Sequence, residues 1–329
     1  MDKTLNVAVI GIGYWGTKLL REYLAASKER EDINLKAIYD VDIHRLKNIA
    51  KELSLPENML ATSYEEILSR NDINAVHIAT PNETHYDLAM KAIGANKHIV
   101  LEKPMATSSR HAFRLARMAE KKNTVLLVDH IFRFSNALKA TKELLERGEF
   151  GNLYYITLKW TDYLKPLRNA DIVFDLAPHP IDIVNYLTEE WPAKVYANAK
   201  SYVRSKVGLE EMAFITAELP DDILMNVELS WIDYGGKSRV ITIVTEKGTL
   251  VIDALSQTLT IHSGSQKREI PISPNNTIKE MIYHFADRVI NHEPPLNSAT
   301  VGAMTVLVLE KIRESLEKDQ TVGIFRGDW

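Results

Sequence analysis

The chain opens with an apolar run, Leu5 to Ile10, that breaks at Gly11 and gives way to apolar positions at helical spacing, Leu19, Leu20, Tyr23 and Leu24. A short apolar run reads as a buried strand, and apolar residues three and four apart mark one face of a helix. The alternation recurs. Strand patterns cover Leu35 to Tyr39, Met59 to Thr62, Ala75 to Thr80, Ile99 to Leu101 and Thr124 to Val128; helical patterns cover Ile43 to Leu53, Glu83 to Ala95 and Ser108 to Lys121. Asp42 is placed to cap the second helix, Ser63-Tyr64-Glu65-Glu66 has the S-x-x-E form of a capping box, and Gly94 is a C-terminal signal. Strands alternating with helices predict a doubly wound parallel sheet over residues 1–128.

Beyond Asp129 the pattern changes. Tyr154 to Trp160, Lys194 to Val203, Met212 to Glu218, Ile223 to Trp231, Arg239 to Thr245, Thr249 to Ile252 and Leu259 to His262 read as strands, several joined by turns such as Tyr234-Gly235-Gly236 and Glu246-Lys247-Gly248. Short connections imply antiparallel pairing. Met225, Val227, Leu229 and Trp231 alternate with Leu224, Asn226, Glu228 and Ser230, so one sheet face is buried and the other wetter. Helices over Ile278 to His292 and Ala299 to Lys318 close the chain. The predicted fold class is therefore α/β plus α+β: a Rossmann-type parallel sheet over 1–128, then a large, mostly antiparallel sheet with flanking helices over 129–329. The last helix is placed to pack back on the first domain.

Composition narrows the function. With 329 residues, 45% hydrophobic and 26% charged, the chain has the make-up of a globular protein large enough for two domains. A net charge of −4 gives no case for nucleic acid or an anionic membrane. No apolar run approaches the roughly 18 residues of a membrane span. A strand pattern follows almost directly on Met1-Asp2-Lys3-Thr4, so a cytoplasmic protein without a signal peptide is expected. With no Cys, disulfides, thiol catalysis and thiolate metal sites are excluded, and no metal site stands out among the ten scattered His residues.

The candidate chemistry begins at the first strand's end. Gly11-Ile12-Gly13-Tyr14-Trp15-Gly16 is G-x-G-x-x-G in its required setting, after a strand and opening a helix. Gly11 permits the turn, Gly13 lets the backbone approach a pyrophosphate, and Gly16 allows close helix–strand packing. Asp40 ends the second strand, where an acid hydrogen-bonds the ribose hydroxyls and repels a 2′-phosphate, so NAD is expected over NADP. Asp40 lies further on than the usual roughly 20 residues; the polar Ser27 to Asp32 reads as a loop extension, and a plain turn or cap role for Asp40 stays open. Thr80, Pro81 and Asn82 fall by the cofactor at the sheet's carboxyl edge, and His85 after them is as well suited to capping.

Two further stretches carry chemistry. Glu102-Lys103-Pro104 ends a buried strand, where open parallel sheets place their ligands. Phe174 to Val184 reads as a helix N-terminus, because its prolines are tolerated only in a first turn. There Asp175, His179 and Asp182 fall at i, i+4 and i+7, on roughly one face. The helix dipole disfavours imidazolium and suits His179 to act as a base, while the nearby Asp175 pushes the other way and is placed to fix its tautomer; spacing does not rank the two effects.

Together, Gly11, Gly13 and Gly16, then Glu102-Lys103-Pro104, then the D-x-x-x-H of Asp175 and His179 resemble the glucose–fructose oxidoreductase / inositol dehydrogenase (Gfo/Idh/MocA) family, with His130-Ile131-Phe132-Arg133-Phe134 adding to the likeness. The similarity runs from Val7 to about Val322. Asp175-Leu176-Ala177-Pro178-His179 and Gly13-Tyr14-Trp15-Gly16 further resemble members acting on sugars or nucleotide sugars. The resemblance implies a hydride moved between nicotinamide and a ring hydroxyl carbon of a sugar, nucleotide sugar or cyclitol. Lys103 would hydrogen-bond the reacting oxygen or join the proton relay, His179 would be general base or acid, and Asp175 would orient it or bind a neighbouring hydroxyl. Glu102 would hold Lys103 beside the cofactor, and Pro104 would fix the turn in a cis or trans peptide. Trp160, Asp162, Arg168 and Asp182 are candidate polyol contacts, Arg168 equally a solvated loop charge. A homodimer or homotetramer through the C-terminal sheet is expected. Two other classes remain: an NAD- and sugar-sensing regulator without catalysis, and a glycosidase of the same fold that uses NAD transiently.

Overall fold

The computed structural model describes residues 3–163, 170–325 and 327 and divides them into two compact units. The first comprises Met1–Ile131 and Thr277–Ala303. Its elements follow the predicted alternation: β1 (Leu5–Ile10), α1 (Tyr14–Glu29), β2 (Ile33–Tyr39), α2 (Ile43–Glu52), α3 (Tyr64–Ser69), β3 (Ala75–Ile78), α4 (His85–Gly94), β4 (His98–Leu101), α5 (Ser109–Lys121) and β5 (Leu126–Val128). The five strands pair in parallel in the order β2-β1-β3-β4-β5. Strand order reverses between β1 and β3, and the crevice at the carboxyl ends there is where such sheets bind ligands. Asp42 caps α2, accepting from the N–H groups of His44 and Arg45, and Ser63 caps α3 through Glu66 N–H.

Several expectations need correction. Met59 to Thr62 is not a strand: Glu57–Met59 forms a 3-10 turn, and Leu60 makes a single bridge to Ile38. Lys103 therefore follows the fourth strand, not the fifth. Ser27 to Glu29 are not loop but the last turn of α1, which runs further than its apolar spacing suggested. Gly94 is the last residue of α4, as expected, and the left-handed turn that follows falls on Asn96, at φ 54°. The segment 277–303, expected with the second domain, groups with the first unit. Its helix α9 (Thr277–Asn291) lies on α1, where Asp287 pairs with Arg30 at 2.8 Å and Tyr283 Oη donates to Glu29 at 2.6 Å.

The second unit comprises Phe132–Asn276 and Met304–Trp329. Its nine-stranded sheet runs from Gln266–Ile270 at one edge to Val322–Gly323 at the other. The inner strands are β6 (Leu153–Thr161), β7 (Lys194–Lys200), β8 (Met212–Glu218), β9 (Leu224–Ser230), β10 (Ser238–Thr245), β11 (Thr249–Asp253) and β12 (Thr258–Ser263). Pairing is antiparallel except between β6 and β9. The strand Gln266–Ile270 and a helix over Asn136–Glu146 carry no expectation from the sequence pattern above. One face buries Ile156, Leu158, Trp160, Met225, Val227, Leu229, Ile241 and Ile243. The opposite face leaves Tyr155, Tyr196, Phe214 and Leu224 exposed among Thr157, Thr216 and Asn226. The predicted 174–184 helix is two helices, α7 (Ile172–Leu176) and α8 (Pro178–Thr188), meeting at Ala177.

Candidate active site

In the first unit the glycine turn is built as a phosphate cradle. Gly11 has φ +89°, and a Cβ on it would lie 2.6 Å from the Ala79 carbonyl oxygen. A Cβ on Gly16 would lie 1.8 Å from the Gly11 carbonyl oxygen, so α1 can start this close to β1 only without a side chain there. Around Gly13 the space is open to 4 Å. Gly13 is the N-cap of α1, makes no side-chain cap, and no acid occupies the first turn. The first turn of α1 and the positive end of its dipole thus face an open space, which fits a dinucleotide's pyrophosphate. Beside it lies a cavity of about 460 Å³ lined by Ile12, Gly13, Tyr14, Lys18, Arg45 and Ile49 among others.

Asp40 is at its predicted place and is already engaged. Its Oδ2 accepts from Ile12 N–H at 2.7 Å, its Oδ1 from Asp42 N–H at 2.8 Å, and Arg45 Nη1 reaches both oxygens at 3.3 Å. The carboxylate thus holds the glycine turn, and Arg45 beside it carried no signal in the sequence pattern.

Thr80, Pro81 and Asn82 follow β3 at the carboxyl edge as expected, and Lys103 follows β4 there, half-buried. His85 is fully buried: its Nδ1 lies 2.8 Å from the Pro104 carbonyl oxygen and its Nε2 2.8 Å from the Thr80 carbonyl oxygen. It joins the two loops and presents no surface to a cofactor, which favours the structural reading of this residue. Burial, above all, lowers its pKa. The Lys103-Pro104 peptide is cis.

Behind Lys103 lies a buried polar cluster that local sequence patterns did not announce. Glu102, Asp129 and His77 are buried, with donor atoms within 4.8 Å of one another. Tyr23 Oη and His77 Nδ1 are 3.1 Å apart, Trp15 Nε1 donates to Asp129 Oδ2 at 3.4 Å, and Lys103 N–H donates to Glu102 Oε2 at 3.3 Å. Burial pushes His77 down to about 4, so it is neutral near pH 7. Burial, and then the Asp129 charge, push Glu102 well above the ordinary carboxylate range. Burial penalises the charged carboxylate most, and the neighbouring Asp129 charge adds repulsion. A polar His in the apolar strand Ala75–Ile78 was the available signal.

In the second unit, Asp175 ends α7 and His179 stands in the first turn of α8, both half-buried. The His179 ring meets Phe132 edge-on at 5.1 Å and Trp160 at 6.3 Å. Trp160 has no exposed surface and carries the Arg239 guanidinium 5.1 Å above its ring. It is a support under His179 and Arg239, not the polyol contact expected. Burial lowers Arg239 to about 10, opposed by the charges of Asp162 and Asp175, so this cation belongs to the same cluster. Arg239 was legible only as a charge at an inward position of an alternating strand. Asp182 does not share the surface of His179. It is 1% exposed and pairs with Arg133 Nε at 2.8 Å, while Arg133 Nη2 donates to Asn185 at 2.7 Å. Arg168 lies outside the described residues.

Comparison with known proteins agrees with these features. A family model described as "Oxidoreductase family, NAD-binding Rossmann fold" matches residues 5–130, and the "GFO/IDH/MocA C-terminal domain" model matches 138–251. UDP-N-acetylglucosamine 3-dehydrogenase of Acidithiobacillus ferrooxidans is 24% identical over 95% of this chain and 97% of its own. Myo-inositol 2-dehydrogenase of Thermotoga maritima is 24% identical over 97% and 98%. The structure of levoglucosan dehydrogenase in complex with NADH and levoglucosan superposes with a TM-score of 0.87 at 20% identity, covering 98% of this chain and 99% of that one.

Proposed function

This chain belongs to the Gfo/Idh/MocA family of oxidoreductases, and from that premise we propose that it is an NAD-dependent dehydrogenase acting on a ring hydroxyl of a sugar, nucleotide sugar or cyclitol. The observation that carries the reading is the carboxyl edge of the parallel sheet. The open glycine turn after β1, Thr80 to Asn82 after β3 and Lys103 after β4 lie on that one edge. The relatives that act on a nucleotide sugar and a cyclitol support the substrate class.

Bound nicotinamide supplies the hydride acceptor. The rest falls to the chain. The α1 N-terminus and the Gly13 backbone bind the pyrophosphate, and Asp40 holds the turn and disfavours a 2′-phosphate. Lys103 donates to the reacting hydroxyl oxygen and stabilises the negative charge that gathers there. His179 takes the hydroxyl proton in oxidation and returns it in reduction. The positive end of the α8 dipole lies beside the His179 ring, which the Phe132 and Trp160 rings hold in place. Asp175 orients His179 or takes a neighbouring hydroxyl, and Arg239 joins the polyol-facing set. The protein self-associates through the outer sheet face of Tyr155, Tyr196, Phe214 and Leu224.

The test is nicotinamide reduction, followed by absorbance, on a panel of sugars, nucleotide sugars and cyclitols with NAD and NADP in parallel. Reduction with NAD on one class is expected. Sugar release without net NADH would identify a glycosidase, and tight binding without turnover a sensor.

A further inference from the structure

We propose that Glu102 and Asp129 share a single proton in the buried pocket behind Lys103, and that this acid pair is a positioning device tying the Lys103 backbone to the glycine turn. The pair makes one continuous chain of bonds. Lys103 N–H donates to Glu102 Oε2 at 3.3 Å. At the other end, Trp15 Nε1–H donates to Asp129 Oδ2 at 3.4 Å. Between them, Glu102 Oε1 and Asp129 Oδ1 are buried with no donor among the described residues, and the two carboxyl groups approach within 4.8 Å of each other. Two facing carboxyl groups can bond to each other only through a hydrogen held between them. The two residues at the ends belong to the two parts of the site that must be held: Trp15 to the nucleotide turn and Lys103 to the reacting oxygen.

The surroundings leave the proton nowhere better to go. His77 faces the pair with Nε2 4.0 Å from Asp129 Oδ2, too far for a hydrogen bond, and its burial keeps it neutral near pH 7. Tyr23 is engaged on the far side of His77. Trp15 only donates. Lys103 is the cation facing Glu102, and its attraction is outweighed by burial and by the Asp129 charge. With one proton the pair carries one negative charge; with none it carries two, in a pocket where Glu102 and Asp129 are 8% and 2% exposed.

The inference rests on the reading of Lys103 above only for its effect on turnover. Infrared spectroscopy of the whole protein near neutral pH should show the carbonyl stretch of a protonated carboxylic acid, lost in Glu102→Gln. It should be lost in Asp129→Asn as well, because Glu102 then faces an amide donor and ionises. Glu102→Gln should also raise Tm relative to the unsubstituted protein, by an amount that grows from about pH 5 to about pH 8. Above about pH 5 the unfolded Glu102 has already lost its proton while the folded one keeps it, so folding takes up a proton and stability falls steadily as pH rises. Neither readout needs an active enzyme, so both stand even if no sugar is oxidised. In active protein, Glu102→Ala should lower kcat roughly 10²-fold, with Glu102→Gln restoring most of that loss. An absent acid band, a Tm gain independent of pH, or one divalent metal ion per chain in protein purified without chelator would each overturn the proposal.

Discussion

Ile12 donates its backbone N–H to the Oδ2 of Asp40 at 2.7 Å, across 28 residues of chain. The bond makes Asp40 a strut of the glycine turn besides the ribose contact proposed for it, and Arg45 lies 3.3 Å from the same carboxylate. Asp40→Ala should therefore do two things. It leaves a buried N–H without its acceptor, at about 1–3 kcal/mol, and it frees Arg45 to meet a 2′-phosphate. Catalytic efficiency with NAD should fall roughly tenfold or more, while NADP is used relatively better. Parallel kcat/KM measurements check this; an unchanged cofactor ratio would remove the specificity role from Asp40.

Lys103→Ala and His179→Ala should each lose about 10²–10⁴-fold in turnover. Fluorescence titration with NADH should show binding close to that of the unsubstituted protein. Normal turnover in either variant would end the assignment.

Asp182 separates the structural reading from the substrate reading. Removing one member of a buried ion pair costs about 3–5 kcal/mol, because Arg133, itself 5% exposed, stays behind. Asp182→Ala should lower stability on that scale in chemical denaturation while leaving the sugar KM of the folded fraction unchanged. A raised KM at normal stability would restore the polyol contact.

The buried His77 gives the fold an acid limit. Its folded value of about 4 lies below the ordinary 6.5. Its contribution is fully present above about pH 6.5 and is lost as pH falls towards 4, by about 3 kcal/mol in all. His77→Gln should flatten the fall in Tm between those values. An identical acid profile in the variant would show that other groups set the limit.

Phe214 stands 47% exposed on the outer sheet face, with Tyr196 and Leu224 on strands to either side. Phe214→Glu should shift the protein from oligomer to monomer in sedimentation or light scattering. An unsubstituted protein that is already monomeric would refute association through this face.

What was legible in the sequence is what local backbone rules dictate. Gly16 announces its role because the Gly11 carbonyl it must clear lies in the same turn, whereas Gly11 and Gly13 are marked by the G-x-G-x-x-G pattern alone. Strand and helix periodicity likewise exposes both sheets. The parity of β6 also carried a warning that went unread: Trp160 shares its face with Ile156 and Leu158, and so is core. Long-range partners were not legible. Nothing near Asp182 points to Arg133, 49 residues earlier, and nothing near Glu102 points to Asp129 and His77. Such pairs form only when separate strands and helices meet, so local spacing placed Asp182 with His179 although its charge was already engaged elsewhere.

The first unit draws its last helix from residues 277–303. A ribosome making this chain therefore releases residues 1–131 long before α9 exists to cover α1. The nascent dinucleotide-binding unit must wait, with one flank of α1 bare, until almost the entire second unit has been synthesised. Cutting the chain at residue 131 would reproduce that waiting state and not the finished unit.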